Sequence, residues 1–273
     1  MRRPKAPGSP IDLARVREWA TEFSGYRHAV GEDRIRAWLK QFQKRDRDLA
    51  ARVLDSVDFV THEQMSAAFR QILPSLEGWH ITPSKRRGRW RFIAYSASAG
   101  ESGDSMLHKF RHANNLASRS HNELFVHRSD LLREGLGKDD TVVLVDDFVG
   151  TGSQVCEAWG TTFGELLAEV GKVYLVVVAA RGQAMERVRE ETDLEIIPHI
   201  ELTGKDNVFA CNHFNNRDRS CLEHYGKKAD PKIPKGYGDC GLVMVFAHSC
   251  PNNTIPILHA KCRKWEGLFR RYD

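Results

Sequence analysis

With 273 residues, 41% of them hydrophobic and 28% charged, the chain is long enough for one large domain, or a domain with a helical appendage, and too apolar to stay disordered. Its longest apolar run, Val173 to Ala180, is far short of the ~20 residues a membrane helix needs. A net charge of +5 permits an anionic ligand or nucleic acid and requires neither, while six cysteines without framework spacing predict reduced thiols in a cytoplasm.

Residues 1–10 are basic and rich in proline, glycine and serine. They lack the apolar core of an export signal, so a disordered tail is expected. From Ile11 to Leu76 the apolar residues recur at helical spacing. Val16, Trp19, Ala20 and Phe23 form one stripe, and Ile35, Trp38, Leu39 and Phe42 a second. Leu49, Val53, Leu54 and Val57 make a third, and Met65, Phe69, Ile72 and Leu73 a fourth. Three or four amphipathic helices are predicted over 11–84. Pro74 and Pro83 punctuate a connector that ends in the basic stretch Lys85 to Arg91. That stretch permits nucleic-acid contact, but without a recognition fold a solvated connector is favoured.

From Trp90 onward the period changes. Strands are predicted at Arg91 to Tyr95, Glu123 to Val126, Thr141 to Val145, Val173 to Ala179, Leu194 to Ile197 and Leu242 to Ala247. Helices are predicted at Asp104 to Leu116, Ser129 to Glu134, Ser153 to Val170 and Gly182 to Glu190. This alternation argues for a doubly wound α/β domain over 85–273, with a mostly parallel sheet covered on both faces and an N-terminal helical extension.

The most informative stretch runs from Thr141 to Gln154. A continuously apolar strand ends in Asp146 and Asp147, at the edge where doubly wound sheets bind ligands. A loop through Val149, Gly150, Thr151 and Gly152 then enters a helix at Ser153 and Gln154. Glycines let backbone N–H groups close around an anion, and the positive end of the helix dipole favours a phosphate there. Carboxylates would repel a phosphate. They suit adjacent sugar hydroxyls, or a divalent metal carried on a polyphosphate. The bland alternative, acids that merely cap the helix, does not use both of them.

Four further groups are weaker. The small-residue segment Ala97 to Ser105, with Ser98, Gly100, Ser102 and Gly103, reads either as a second anion loop or as an ordinary βα connection. Lys109 and Arg111 follow it on a helix. Asn252, Asn253 and Thr254, between Pro251 and Pro256, can line a base or simply turn the chain. Cys211, His213, Cys221, His224, Cys240 and Cys250 lack a paired knuckle, which makes scattered structural residues a better reading than zinc. His108 and His112 have ligand spacing but no evident third ligand.

At Asp146 to Gln154 the chain resembles the type I phosphoribosyltransferases, whose strand, acidic pair and Thr/Gly-rich loop bind 5-phosphoribosyl diphosphate (PRPP). Gly150, Ser153 and Gln154 depart from that pattern, standing where threonine, glycine and threonine are common. A closer resemblance is to PRTase-CE, divergent phosphoribosyltransferase-like proteins of bacterial conflict and defence systems. It is carried by Val145 to Gly152, Pro251 to Pro256 and the Trp38 to Phe42 helix. The resemblance implies that Asp146 and Asp147 hold ribose hydroxyls, that 149–154 cradle the 5′-phosphate, and that Ser98, Gly100, Ser102, Gly103 and Lys109 face the diphosphate. It also implies Mg²⁺ shared with the substrate, a hood over the base from 202–238, and protein partners encoded in the same operon. The implied function is a phosphoribosyl-transferring enzyme. The alternatives are a non-catalytic PRPP or nucleotide sensor and a scaffold component of a defence complex.

Overall fold

The computed structural model describes residues 1, 3–95 and 103–271. In chain order, helices α1 (Leu13–Glu22), α2 (Glu32–Lys40) and α3 (Arg47–Asp55) precede a short strand β1 (Asp58–Val60) and helix α4 (His62–Ile72). The middle of the chain alternates: β2 (Trp90–Ala94), α5 (Gly103–Ala113), α6 (Leu131–Glu134), β3 (Thr141–Val149), α7 (Ser153–Ala158), α8 (Gly164–Leu166), β4 (Lys172–Arg181), α9 (Gly182–Glu191) and β5 (Glu195–Leu202). Helix α10 (Asn216–Ala229), strand β6 (Met244–Phe246) and a hairpin of β7 (Lys261–Cys262) and β8 (Trp265–Glu266) follow. Among the described residues no helix is long and apolar enough to cross a membrane.

Two units emerge: Glu63–Leu202, and Met1–His62 together with Thr203–Asp273. The first holds a four-stranded parallel sheet in the order β2-β3-β4-β5. Its central strands β3 and β4 are buried on both faces over their apolar runs, Thr141 to Val145 and Val173 to Ala180. Ile93, Val142, Leu144, Leu175 and Val177 pack on one face with Val155, Phe163, Ala184 and Val188, from α7, the turn after it and α9. Alternate residues face the other way. Phe92 meets Phe110 of α5 with ring centroids 5.1 Å apart, and Phe110 in turn meets Phe69 of α4 at 5.6 Å.

The winding direction reverses within this sheet. After β2 and α5 the chain returns at Phe125, which bridges Phe92 in parallel, so it lies on the edge of β2 away from β3. From there it passes α6 and crosses to β3, and β4 and β5 continue in the opposite direction. The reversal places a topological switch point between the carboxyl ends of β2 and β3, where doubly wound sheets take their ligands. The strand expected over Glu123 to Val126 is reduced to this single bridge. The helix expected from Ser153 to Val170 stops at Leu166 and contains a π-helical turn, Trp159–Phe163.

The second unit joins the N-terminal helices to the last seventy residues. Strand β1 pairs in parallel with β6, Phe59 opposite Val245. The indole N–H groups of Trp38 and Trp265 both donate to the Ile257 carbonyl, at 2.8 and 2.9 Å. Phe23 packs edge-on against Phe269 at 5.1 Å. Arg52 pairs with Asp218 at 2.7 Å, and the Tyr225 hydroxyl donates to Asp46 at 2.8 Å, so α10 is bound to the N-terminal helices. Near the N-terminus, Gly8 N–H donates to Asp48, Lys5 N–H to Asp55, and Arg15 to the Ser9 and Pro10 carbonyls.

Candidate functional site

Strand β3 outlasts its neighbour. Its pairing with β2 ends at Ala94 opposite Val145, and Tyr95 N–H donates to the Val145 carbonyl at 2.9 Å. Its pairing with β4 continues to Val149 opposite Ala180. Asp146 and Asp147 therefore follow directly on the last β2–β3 pair, beside the carboxyl end of β2 and at the switch point. Both are half-buried. Sequence alone ends this strand at Val145; the β4 ladder carries it through both acids to Val149.

The loop that follows is shaped by Gly152, whose φ of +76° lies in the left-handed region open chiefly to glycine. There is little room for a side chain as well, since a Cβ would come within 3.1 Å of the Ala184 carbonyl and 3.2 Å of Val188 Cγ2. Gly152 is the N-cap of α7 and provides no side-chain acceptor for the first-turn amides. Those amides have no acceptor further back in the helix, and among the described residues only Ser153 N–H has a local one, a long 3.4 Å contact with Thr151 Oγ1. The start of α7 is thus rich in donors and poor in protein acceptors.

Ser153 Oγ is the hub of this loop. It accepts from Thr151 Oγ1 at 3.1 Å and from Arg187 Nη1 at 2.7 Å, and a hydroxyl that accepts twice still has one proton to give. Arg187 comes from α9, where its Nε also donates to Glu191 at 2.8 Å. Behind the loop, Tyr95 donates its hydroxyl to the Gln154 carbonyl at 3.0 Å and stacks on Phe163 at 5.7 Å. Tyr95 fastens the end of β2 to the start of α7. Neither Arg187 nor Tyr95 is singled out by the sequence reading, because each acts through a fold contact and belongs to no local motif.

Of the candidates for the second anion loop, Ser98, Gly100 and Ser102 lie outside the described residues. Gly103 is buried at the start of α5, and a Cβ there would fall 2.0 Å from the Tyr95 carbonyl oxygen, so the residue must be glycine for that approach. Lys109 is half-buried on α5, and burial lowers its ammonium below the ordinary lysine range. Asn252, Asn253 and Thr254 belong to the unit that contains α10. There the Asn253 amide donates to the Tyr237 carbonyl at 3.1 Å, and the Thr254 hydroxyl donates to the Met244 carbonyl at 2.6 Å. The Asn252 carbonyl accepts from Tyr237 N–H at 2.8 Å. These contacts brace the chain around β6.

The basic stretch before β2 is occupied internally. Arg89 binds Asp140 at 2.7 Å and the carbonyls of Glu134 and Gly135, and Arg91 binds Glu134 at 2.7 Å. Arg86 donates to the His80 and Ile81 carbonyls and lies over the Trp79 ring. Asp140 also accepts from Arg89 N–H and Gly137 N–H, and these donors hold its carboxyl below the usual range against the opposing effect of burial. All six cysteines are free thiols. Burial and Asp46 push Cys221 up to about 11, and burial pushes Cys250 up to about 12. Among the described residues no three His, Cys, Asp or Glu side chains are grouped to hold a metal. The His108 and His112 rings lie 4.4 Å apart along α5, tilted by 43° to each other.

Comparison with curated proteins finds no match. Among solved structures, the AQ2163 protein from Aquifex aeolicus is 14% identical, with 71% of this chain and 87% of that one covered at a TM-score of 0.35. A hypoxanthine-guanine-xanthine phosphoribosyltransferase is 10% identical, with 60% and 91% covered at a TM-score of 0.32. The family model described as PRTase-CE matches residues 35–271, which takes in most of α2, the acidic pair, the glycine loop and the Pro251 to Pro256 turn. The chain belongs to the PRTase-CE family.

Proposed function

We propose that this chain binds PRPP or a nucleotide through its ribose and 5′-phosphate and transfers the phosphoribosyl group, as a cytoplasmic member of a bacterial defence system. The observation that carries the reading is the glycine-capped start of α7 beside two carboxylates at a switch point. In this arrangement the first-turn amides, Thr151 and Ser153 grip the 5′-phosphate, and Arg187 supplies positive charge behind Ser153. Asp146 and Asp147 accept from the ribose hydroxyls, orienting the anomeric carbon for displacement. No residue described at the site is assigned as a general base, and the acceptor's proton is left to the acceptor.

Mg²⁺ fits this donor set when the ligand brings it. Two adjacent carboxylates offer hard oxygen donors, the described residues provide no complete cage, and Mg²⁺ keeps most of its coordination for phosphate and water oxygens. Asp146 and Asp147 are the residues that would hold it, and when bound it supplies charge neutralisation on the departing diphosphate.

Calorimetry with PRPP and Mg²⁺ against wild type and Asp147→Ala tests the assignment. We expect at least tenfold weaker binding in the variant, about 1.4 kcal/mol, the scale of one or two charge-assisted hydrogen bonds. Superimposable isotherms would refute it. Binding of normal strength with no diphosphate release, whatever nucleobase or hydroxyl acceptor is offered, would retain the site and make the protein a sensor.

A further inference from the structure

A second cluster of positive charge lies in the unit that holds α10. The last turns of α10 and the β7–β8 hairpin together line a hollow of about 460 Å³. Its lining includes His224, Lys227 and Lys228 from the helix and Arg263 and Lys264 from the hairpin turn, all exposed. Cys262 completes the wall, its thiol directed to the Lys228 carbonyl at 3.6 Å.

Four of these side chains are cationic at neutral pH. Of these, Lys227 pairs with Glu223 at 2.9 Å, and that carboxylate also takes Lys235 at 3.3 Å. Lys228 lies over the Tyr225 ring at 4.7 Å, and Arg263 and Lys264 have no ion-pair partner among the described residues. The preference of a helix C-terminus for cations accounts for Lys227 and Lys228. It does not account for Arg263 and Lys264, which come from a different element and face the same space. Like charges converging on a concavity repel one another unless an anion joins them.

We propose that this hollow is a second ligand site, for a compact, multiply charged phosphate compound. Its volume is that of a small-molecule pocket. No Phe, Tyr or Trp lines it, so it lacks the stacking platform by which single-stranded nucleic acid is held. The Arg263 guanidinium offers paired donors to phosphate oxygens, while the lysines act as point charges around them. The site stands whether or not the acidic pair and glycine loop bind ribose.

Cys262 is an exposed thiol in the wall and reports occupancy directly. Its alkylation by iodoacetamide, a neutral reagent, is followed by peptide mass spectrometry with and without inorganic triphosphate, at ionic strength matched with sodium chloride. Wild type is expected to react about tenfold more slowly at a triphosphate concentration ten times its Kd. Arg263→Ala/Lys264→Ala alters only exposed turn residues and is expected to lose that protection, with a change under about twofold at the same concentration. Unchanged alkylation of wild type, or equal protection in both proteins, overturns the proposal. So does protection by a single-stranded oligonucleotide where triphosphate gives none, which would assign the surface to nucleic acid.

Discussion

Removing the Arg187 guanidinium should separate phosphate recognition from every other property of the proposed site. In Arg187→Ala the side chain lost is 43% exposed and its ion-pair partner Glu191 is 46% exposed, so the cost to folding is that of a surface pair, about 0–1 kcal/mol. The cost to ligand binding is electrostatic. A phosphate hydrogen-bonded to Ser153 would lie on the order of 5 Å from a guanidinium that donates to the same oxygen, and at a water-like dielectric a dianion there gains about 1.7 kcal/mol before screening. Physiological salt, with a Debye length of about 8 Å, trims this to about 0.9 kcal/mol, or roughly a fourfold to fivefold change in Kd. Calorimetry should therefore find ribose 5-phosphate bound about fourfold to fivefold more weakly by Arg187→Ala than by wild type. The gap should close to within about twofold near 1 M salt, where the Debye length is about 3 Å. Arg187→Lys, which keeps the charge, should recover most of the affinity. Equal affinities at low salt in two folded proteins would refute the placement of the phosphate at Ser153. A loss that is just as large for unphosphorylated ribose would do the same.

Two stability predictions follow from the same coordinates. Gly152→Ala puts a Cβ into left-handed backbone and against the Ala184 carbonyl; it should cost about 1–2 kcal/mol from the backbone conformation alone, read as a lower denaturant midpoint at unchanged slope. An equal midpoint would mean that the loop relaxes freely. His259 is buried, its Nε2–H donating to the Thr254 carbonyl, and burial with nearby Arg271 pushes its pKa down to about 4. The folded state thus refuses a proton that the unfolded chain accepts, so this stability is complete above pH ~6.5, is lost as pH falls towards ~4, and has dropped by about 2 kcal/mol at pH ~5. Denaturation midpoints of wild type and His259→Gln should converge over that interval, and parallel pH profiles would show that the imidazole titrates normally.

What sequence can disclose here depends on how local the physics is. The strand β3, the acids and the glycine loop are contiguous, so their order alone predicts an anion site at a sheet edge. The Arg187–Ser153 contact joins residues 34 positions apart and has no motif to announce it. Helix α10 lies inside the 202–238 segment that the family resemblance implies as a hood, and its sequence is polar. Only Leu222, Tyr225, Gly226 and Ala229 are buried along it. Its local signal was the capping box of Asn215 and Asp218, which the structure forms at both hydrogen bonds. Strand β1 has three residues and finds its partner β6 nearly two hundred positions later, beyond any periodicity argument. The π-turn at Trp159–Phe163 falls where glycine and two threonines weaken the helix, a local cause that identifies a weak point without dictating the extra residue.

The sign of the charge at the candidate site argues for a sugar between its two halves. Asp146 and Asp147 bring two negative charges within a few residues of a loop shaped for an anion, and Arg187 is already engaged by Glu191. A bare phosphate placed there meets the donors of α7 and the field of the carboxylates together, and these effects oppose. A phosphorylated ribose removes the conflict by distance, since its hydroxyls meet the acids on the strand while its phosphate reaches the helix start. A Mg²⁺-bearing diphosphate removes the rest by neutralisation. On the proposed reading this conflict disfavours inorganic phosphate and a nucleic-acid backbone, whose charges repeat without an intervening diol. The ligand we propose answers it as one small molecule that carries hydroxyls and phosphate at opposite ends.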